Sequence, residues 1–181
     1  MDYGNIVSSA ISSVYNVIYD SGEFAAASTA SSISIAGLNG DTDIEYMFIN
    51  RFVDLNTTGG YYIRPNNDST AGNYGFQYID GTGASATALR ATANVLTAGY
   101  TNVNGNISLG TTNIYAKTGR VRTALTKFSG DCLATSVNQI QVCGQMWADT
   151  TNNITSFTVG AVNDLMGVGT RIVLLRKLST V

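Results

Sequence analysis

"NDLMGVGTRIVLLRKLSTV", residues 163–181, decides the fold. Glycines at 167 and 169 prepare a turn, and the apolar run Ile172–Leu175 follows at once. The run is rich in β-branched and aliphatic side chains and too short for a buried helix, so it reads as a strand. In a strand Ile172 and Leu174 share one face while Val173 and Leu175 share the other, so at least one pair is buried. The same grammar recurs upstream. With 19 Gly against a single Pro, short apolar runs alternate with Gly/Asn/Asp/Thr clusters. That spacing predicts an all-β sandwich or barrel, with an antiparallel β-sandwich favoured. Strands are expected at Tyr15–Tyr19, Ser32–Ile35, Glu45–Phe52, Tyr61–Arg64, Tyr74–Tyr78, Ala86–Ala91, Ile107–Tyr115, Arg120–Lys127, Gln139–Trp147, Thr155–Val159 and Thr170–Leu178. "IEYMFINRFV" (44–53) is apolar on both faces, which predicts a central strand covered twice. Asn39-Gly40 and Asn104-Gly105 predict turns, because both residue types tolerate positive φ.

The chain has 181 residues, enough for one domain with a substantial core. Apolar residues make up 44% and charged residues only 12%, about half the usual share. Ser, Thr and Asn supply 55 residues, so the surface is polar but weakly charged and resists close packing against other subunits little. A net charge of −2 and the lack of any Lys/Arg run argue against a nucleic-acid partner. No run approaches the roughly 20 apolar residues of a membrane span, so no membrane partner is expected.

The chemistry of catalysis is thin. There is no histidine, which removes Ser-His-Asp and Cys-His arrangements and His-ligated zinc. Cys132 and Cys143 are too few for a zinc site and are favoured as small buried apolar side chains over a disulfide. Asp41, Asp43 and Glu45, then Asp68 and Asp80, match neither a facing carboxylate pair nor a calcium loop. They read as turn residues, with adventitious Ca²⁺ at Asp41/Asp43 as the alternative. "GTGAS" (81–85) and "GVGT" (167–170) lack the Lys of a phosphate loop. No enzyme activity, cofactor or metal is expected. Tyr61, Tyr62 and Tyr74 offer faces on which a glycan ring could stack, but simple core filling is the favoured reading. In the first residues, Val7, Ile11, Val14 and Ile18 fall at helical spacing. They predict an N-terminal arm over 1–13 that attaches the module to a partner, ahead of a sandwich domain over 14–181.

Several stretches together resemble a family of small jelly-roll virion proteins of tailed bacteriophages, which includes head decoration proteins and tail-appendage tip modules. They are "ISIAGLNGDTDIEYMFINRFV" (33–53), "YYIRPNND" (61–68), "NIYAKTGRVR" (113–122), "NITSFTV" (153–159) and "GVGTRIVLLRK" (167–177). The shared pattern is a Gly-Leu-x-Gly-Asp turn, a strand carrying Tyr then Arg, and Gly-x-Gly-Thr before an apolar closing strand. The resemblance implies a jelly roll, a homotrimer and a place on the exterior of the virion. It transfers no catalytic residue. The leading reading is a trimeric capsid decoration, or cement, protein bound to the major capsid protein or another virion subunit. The alternative is the receptor- or glycan-binding tip of a tail fibre, with a host-surface glycan as ligand.

Overall fold

A computed structural model describes residues 15–25, 31–55, 59–82, 85–101, 106–133, 137–162 and 165–177. Among the described residues twelve strands follow one another: β1 (Tyr15–Asp20), β2 (Ser32–Ala36), β3 (Glu45–Val53), β4 (Gly59–Pro65), β5 (Tyr74–Thr82), β6 (Ser85–Ala93), β7 (Leu96–Thr101), β8 (Ile107–Tyr115), β9 (Arg122–Leu133), β10 (Val137–Trp147), β11 (Ser156–Val162) and β12 (Arg171–Lys177). A single helical turn, α1 (Gly40–Asp43), precedes β3. The expected antiparallel β-sandwich is what the chain forms. One sheet has eight strands in the order β1-β12-β3-β8-β9-β10-β5-β6, and the other has four in the order β2-β11-β4-β7.

Aromatic side chains bind the two sheets together. Tyr46 and Phe48 of β3 meet Phe157 of β11 edge-to-face, with centroids 5.3 and 5.1 Å apart. Phe52 of β3 stacks flat on Tyr61 of β4 at 4.1 Å. Such pairs contribute about 0.5–1.5 kcal/mol each beyond the area they bury. Ile172 and Leu174 of β12 are fully buried beside them, so the closing strand puts the pair expected from its alternation into the core. Gly130 lets the small sheet lie close: a Cβ there would stand 2.4 Å from the carbonyl oxygen of Tyr100.

Four local expectations change. The strand β7, "LTAGYT", escapes a reading by propensity because Ala and Gly are depleted in strands. It forms because its Leu96 and Ala98 are needed in the core. Asn39-Gly40 is not a left-handed turn: Asn39 has φ −141° and caps α1, its side chain accepting from the Thr42 N–H. Gly40 is there for space, since a Cβ would stand 3.0 Å from that of Ala116. Positive φ falls instead on Gly37 and Ile44. β3 is central but is covered once, not twice: Tyr46, Phe48 and Phe52 are buried, whereas Ile49 on the other face is exposed. Ile18 lies in a strand, beside a register break between Val17 and Tyr19, so the helical stripe does not reach it. Val7, Ile11 and Val14, the arm over 1–13 and the turn at Asn104-Gly105 lie outside the described residues.

Candidate interaction surface

The strand β10 reads "VNQIQVCGQMW", and its polarity is inverted. Gln139, Gln141 and Gln145 point inward and are buried, together with Cys143 and Trp147. Ile140, Val142 and Met146 point outward, and Ile140 is 61% exposed. A buried glutamine must find partners, because an unsatisfied buried amide costs on the order of 1–3 kcal/mol. Gln139 Nε2 donates to Asp80 Oδ1 at 2.8 Å. Gln145 Oε1 accepts from the Thr97 N–H at 2.6 Å, and its Nε2 donates to the Thr97 carbonyl at 2.9 Å and the Thr126 hydroxyl at 2.8 Å. Thr126 in turn donates to the Thr97 carbonyl at 3.0 Å and meets the Thr112 hydroxyl at 2.9 Å. These bonds explain how Gln139 and Gln145 are tolerated inside. They leave the apolar side chains of the same strand outside.

The register places those outward residues on one face with their neighbours. Val142 stands opposite Ile79 on β5, which is 63% exposed, and Ile140 lies opposite Ser129 of β9. Ser129 stands opposite Leu109 of β8, 57% exposed, and Ile49 of β3 stands opposite Thr111. Two aliphatic ridges result, Ile49 with Leu109 and Ile140 with Val142. Between them runs a groove of about 590 Å³ floored by Thr111 and Ser129, with Lys127 as its charged side chain. Scattered exposed aliphatics are ordinary, but a contiguous patch on one face marks an interaction surface.

A second, polar feature lies at one end of the sandwich. A cleft of about 650 Å³ is lined by Asn66, Asp68, Asn73, Trp147, Asp149 and Asn152 among others. Asp68 accepts from Trp147 Nε1 at 2.7 Å, from Asn73 Nδ2 at 2.9 Å and from the Thr70 N–H at 2.8 Å. Desolvation pushes its carboxyl up, but these bonds outweigh it and hold the group at about 2. Arg122, buried beneath, lies over the Trp147 ring at 5.1 Å and 3.7 Å from Asp149. The cleft is thus walled by polar groups that are already engaged with one another.

The tyrosines named as candidate glycan contacts do not present their faces, in line with the favoured core-filling reading. Tyr61 is 1% exposed under Phe52, and Tyr74 is fully buried with its hydroxyl donating to the Asp68 carbonyl at 2.8 Å. Tyr62 is 7% exposed, with the Arg64 guanidinium over its ring at 4.5 Å. Strand alternation turns Tyr61 and Tyr74 inward, so core filling is their role. Asp41 and Asp43 have partners within the chain as well. Asp41 accepts from the Thr118 N–H and hydroxyl, which lower its pKa, and Asp43 accepts from Tyr46 and Arg176. Among the described residues no group of three or more His, Cys, Asp or Glu side chains is placed to hold a metal. Cys143 is buried and free, and burial pushes its thiol up to about 12. The side chain of Cys132 lies outside the described residues. The chain matches no protein family, no curated protein and no solved structure in the comparisons made.

Proposed function

We propose that this chain is a non-enzymatic structural protein of a phage virion, a homotrimeric capsid decoration protein on the particle exterior. The observation that carries the reading is the inverted strand β10. A chain that buries glutamines and exposes Ile140, Val142 and Ile79 has kept its apolar side chains for another subunit. The weakly charged surface adds little repulsion against such packing.

The strand order supports the jelly-roll part of the reading. With the hairpins β5-β6 and β9-β10 set aside, the rest form two four-stranded sheets, β1-β12-β3-β8 and β2-β11-β4-β7. A jelly roll interleaves eight strands as two Greek keys in this manner. The two extra hairpins lie side by side and extend only the first sheet. They carry much of the apolar outer face, so the additions to the jelly-roll frame and the interaction surface coincide.

Sedimentation at micromolar concentration tests the trimer. A mass three times 19.1 kDa is expected, and a monomer at all concentrations removes the reading. Labelling on intact particles then separates head from tail. The second reading, a receptor- or glycan-binding tail-fibre tip, is favoured by the loop-end cleft, whose Asn and Asp side chains suit sugar hydroxyls. A glycan array followed by Asn152→Ala distinguishes it.

A further inference from the structure

The eight-stranded sheet ends on β6, and the geometry points to this strand as a second contact, through which two copies of the chain pair edge to edge as antiparallel strands about a two-fold axis at Leu89. This contact is separate from the apolar outer face. In a trimer it would join one trimer to the next.

An edge strand presents a row of N–H and C=O groups that only water or another extended chain can satisfy. Natural edges are blunted by shortness, bulges, charge, proline or a cover. The other sheet ends show such devices. β1 has six residues, is broken by a register shift and closes on Asp20. β2 has only five residues. β7 has Gln145 bonded to Thr97. Among the described residues β6 shows no shortness, bulge, proline or cover, and a single charge is all that protects it. It runs nine residues, stays in unbroken register with β5 from Ser85 to Ala93, and contains no proline and one charge, Arg90. Residues 85–90 are all exposed.

The sequence "SATALRATA" also says which strand fits. Small Ser, Ala and Thr side chains let a second backbone approach. A two-fold at Leu89 sets Leu89 against Leu89 of the second copy and Ala88 against its Arg90. The lone cation then faces a methyl group. A two-fold at Arg90 would oppose two guanidinium groups, which is unfavourable across strands. Leu89 lies beside Tyr78, whose ring stacks on Phe76 at 5.7 Å. Pairing at Leu89 would join two such rows into one apolar strip and cover a leucine that is 48% exposed.

Leu89→Cys, made in a Cys132→Ser background and mildly oxidised, is expected to give a disulfide-linked dimer on a non-reducing gel. Ser85→Cys in the same background is expected to give none, because the two copies of that position lie at opposite ends of the paired strands. Ala88→Glu faces Arg90 of the second copy and should tighten edge association about threefold to tenfold in sedimentation, while Ala88→Arg should loosen it by a similar factor. If the Leu89→Cys variant is folded by circular dichroism and yields no disulfide-linked dimer, the proposal is overturned, as it is by an equal response to Glu and Arg at position 88. Failure of the outer-face reading gives a different result: Ile140→Ser would leave the parent mass unchanged while the Leu89→Cys variant still formed its disulfide-linked dimer.

Discussion

The side-chain amide of Gln145 sits beside Thr97 where a neighbouring strand would be. Its oxygen takes the Thr97 N–H at 2.6 Å and its nitrogen serves the Thr97 carbonyl at 2.9 Å. One glutamine from the large sheet therefore closes the free edge of the small one. It also explains why a polar side chain occupies an inward position of β10.

Gln145→Leu keeps much of the volume and removes both of these bonds and the one to the Thr126 hydroxyl. It leaves the Thr97 N–H unpaired, at about 1–3 kcal/mol, while the Thr97 carbonyl keeps its bond from the Thr126 hydroxyl. Chemical denaturation should show a loss of about 1–3 kcal/mol. A loss below about 0.5 kcal/mol would mean that water replaces the amide freely.

The two faces of the large sheet should respond oppositely to substitution. Leu174 is fully buried, and Leu174→Ala should lower stability by about 2–5 kcal/mol. Ile140 is mostly exposed, and Ile140→Ser should change the stability of the isolated chain by less than about 0.5 kcal/mol while weakening assembly. Melting temperature and sedimented mass, read on both variants, check the contrast.

Asp68 supplies a pH signature. Its folded pKa, at about 2, lies below the unfolded value near 3.9. A depressed carboxyl stabilises the fold fully above the unfolded value and loses that contribution as pH falls through the folded one. The stability gap between the parent and Asp68→Asn should therefore be steady above about pH 5 and close between about pH 4 and pH 2. Melting curves across that window test it, and a gap independent of pH would contradict the hydrogen bonds from Trp147 and Asn73.

Cys143 should be chemically silent. Only a thiolate alkylates, and a buried thiol held at about 12 is neutral at pH 8. Mass spectrometry of native protein after iodoacetamide should find Cys143 unmodified, and full modification should appear only on denaturation.

Much of this architecture can be read from local pattern. The closing run Ile172–Leu175 and the aromatic alternation of Tyr46, Phe48 and Phe52 fix strands and their faces, because burial there is dense and periodic. β7 is not legible, since its Ala98 and Gly99 carry no strand propensity and the strand exists through tertiary packing. The face of β10 is the instructive failure. Gln139, Gln141 and Gln145 share a parity that the sequence displays openly, and period two separates them from Ile140 and Val142. Periodicity says which residues share a face but not which face turns inward. That choice depends on Thr97, Thr126 and Asp80, which are distant in sequence. For Tyr61, Tyr62 and Tyr74 the pattern leaves the same choice open, because an amphipathic residue suits a core as well as a binding surface, and the favoured core reading is the one their burial matches.

The pairing of β1 with β12 has a consequence for how the chain is made. Residues 15–20 find their partners only at 173–177. On the ribosome β1 must wait for β12. At about 5–20 residues per second, on the order of ten seconds pass between the two. Until then the large sheet lacks its final two strands, and the aliphatic outer face is already exposed on an unfinished molecule. Such long-range closure slows folding, so yield should depend on synthesis rate and temperature more steeply than the stability of the finished protein does.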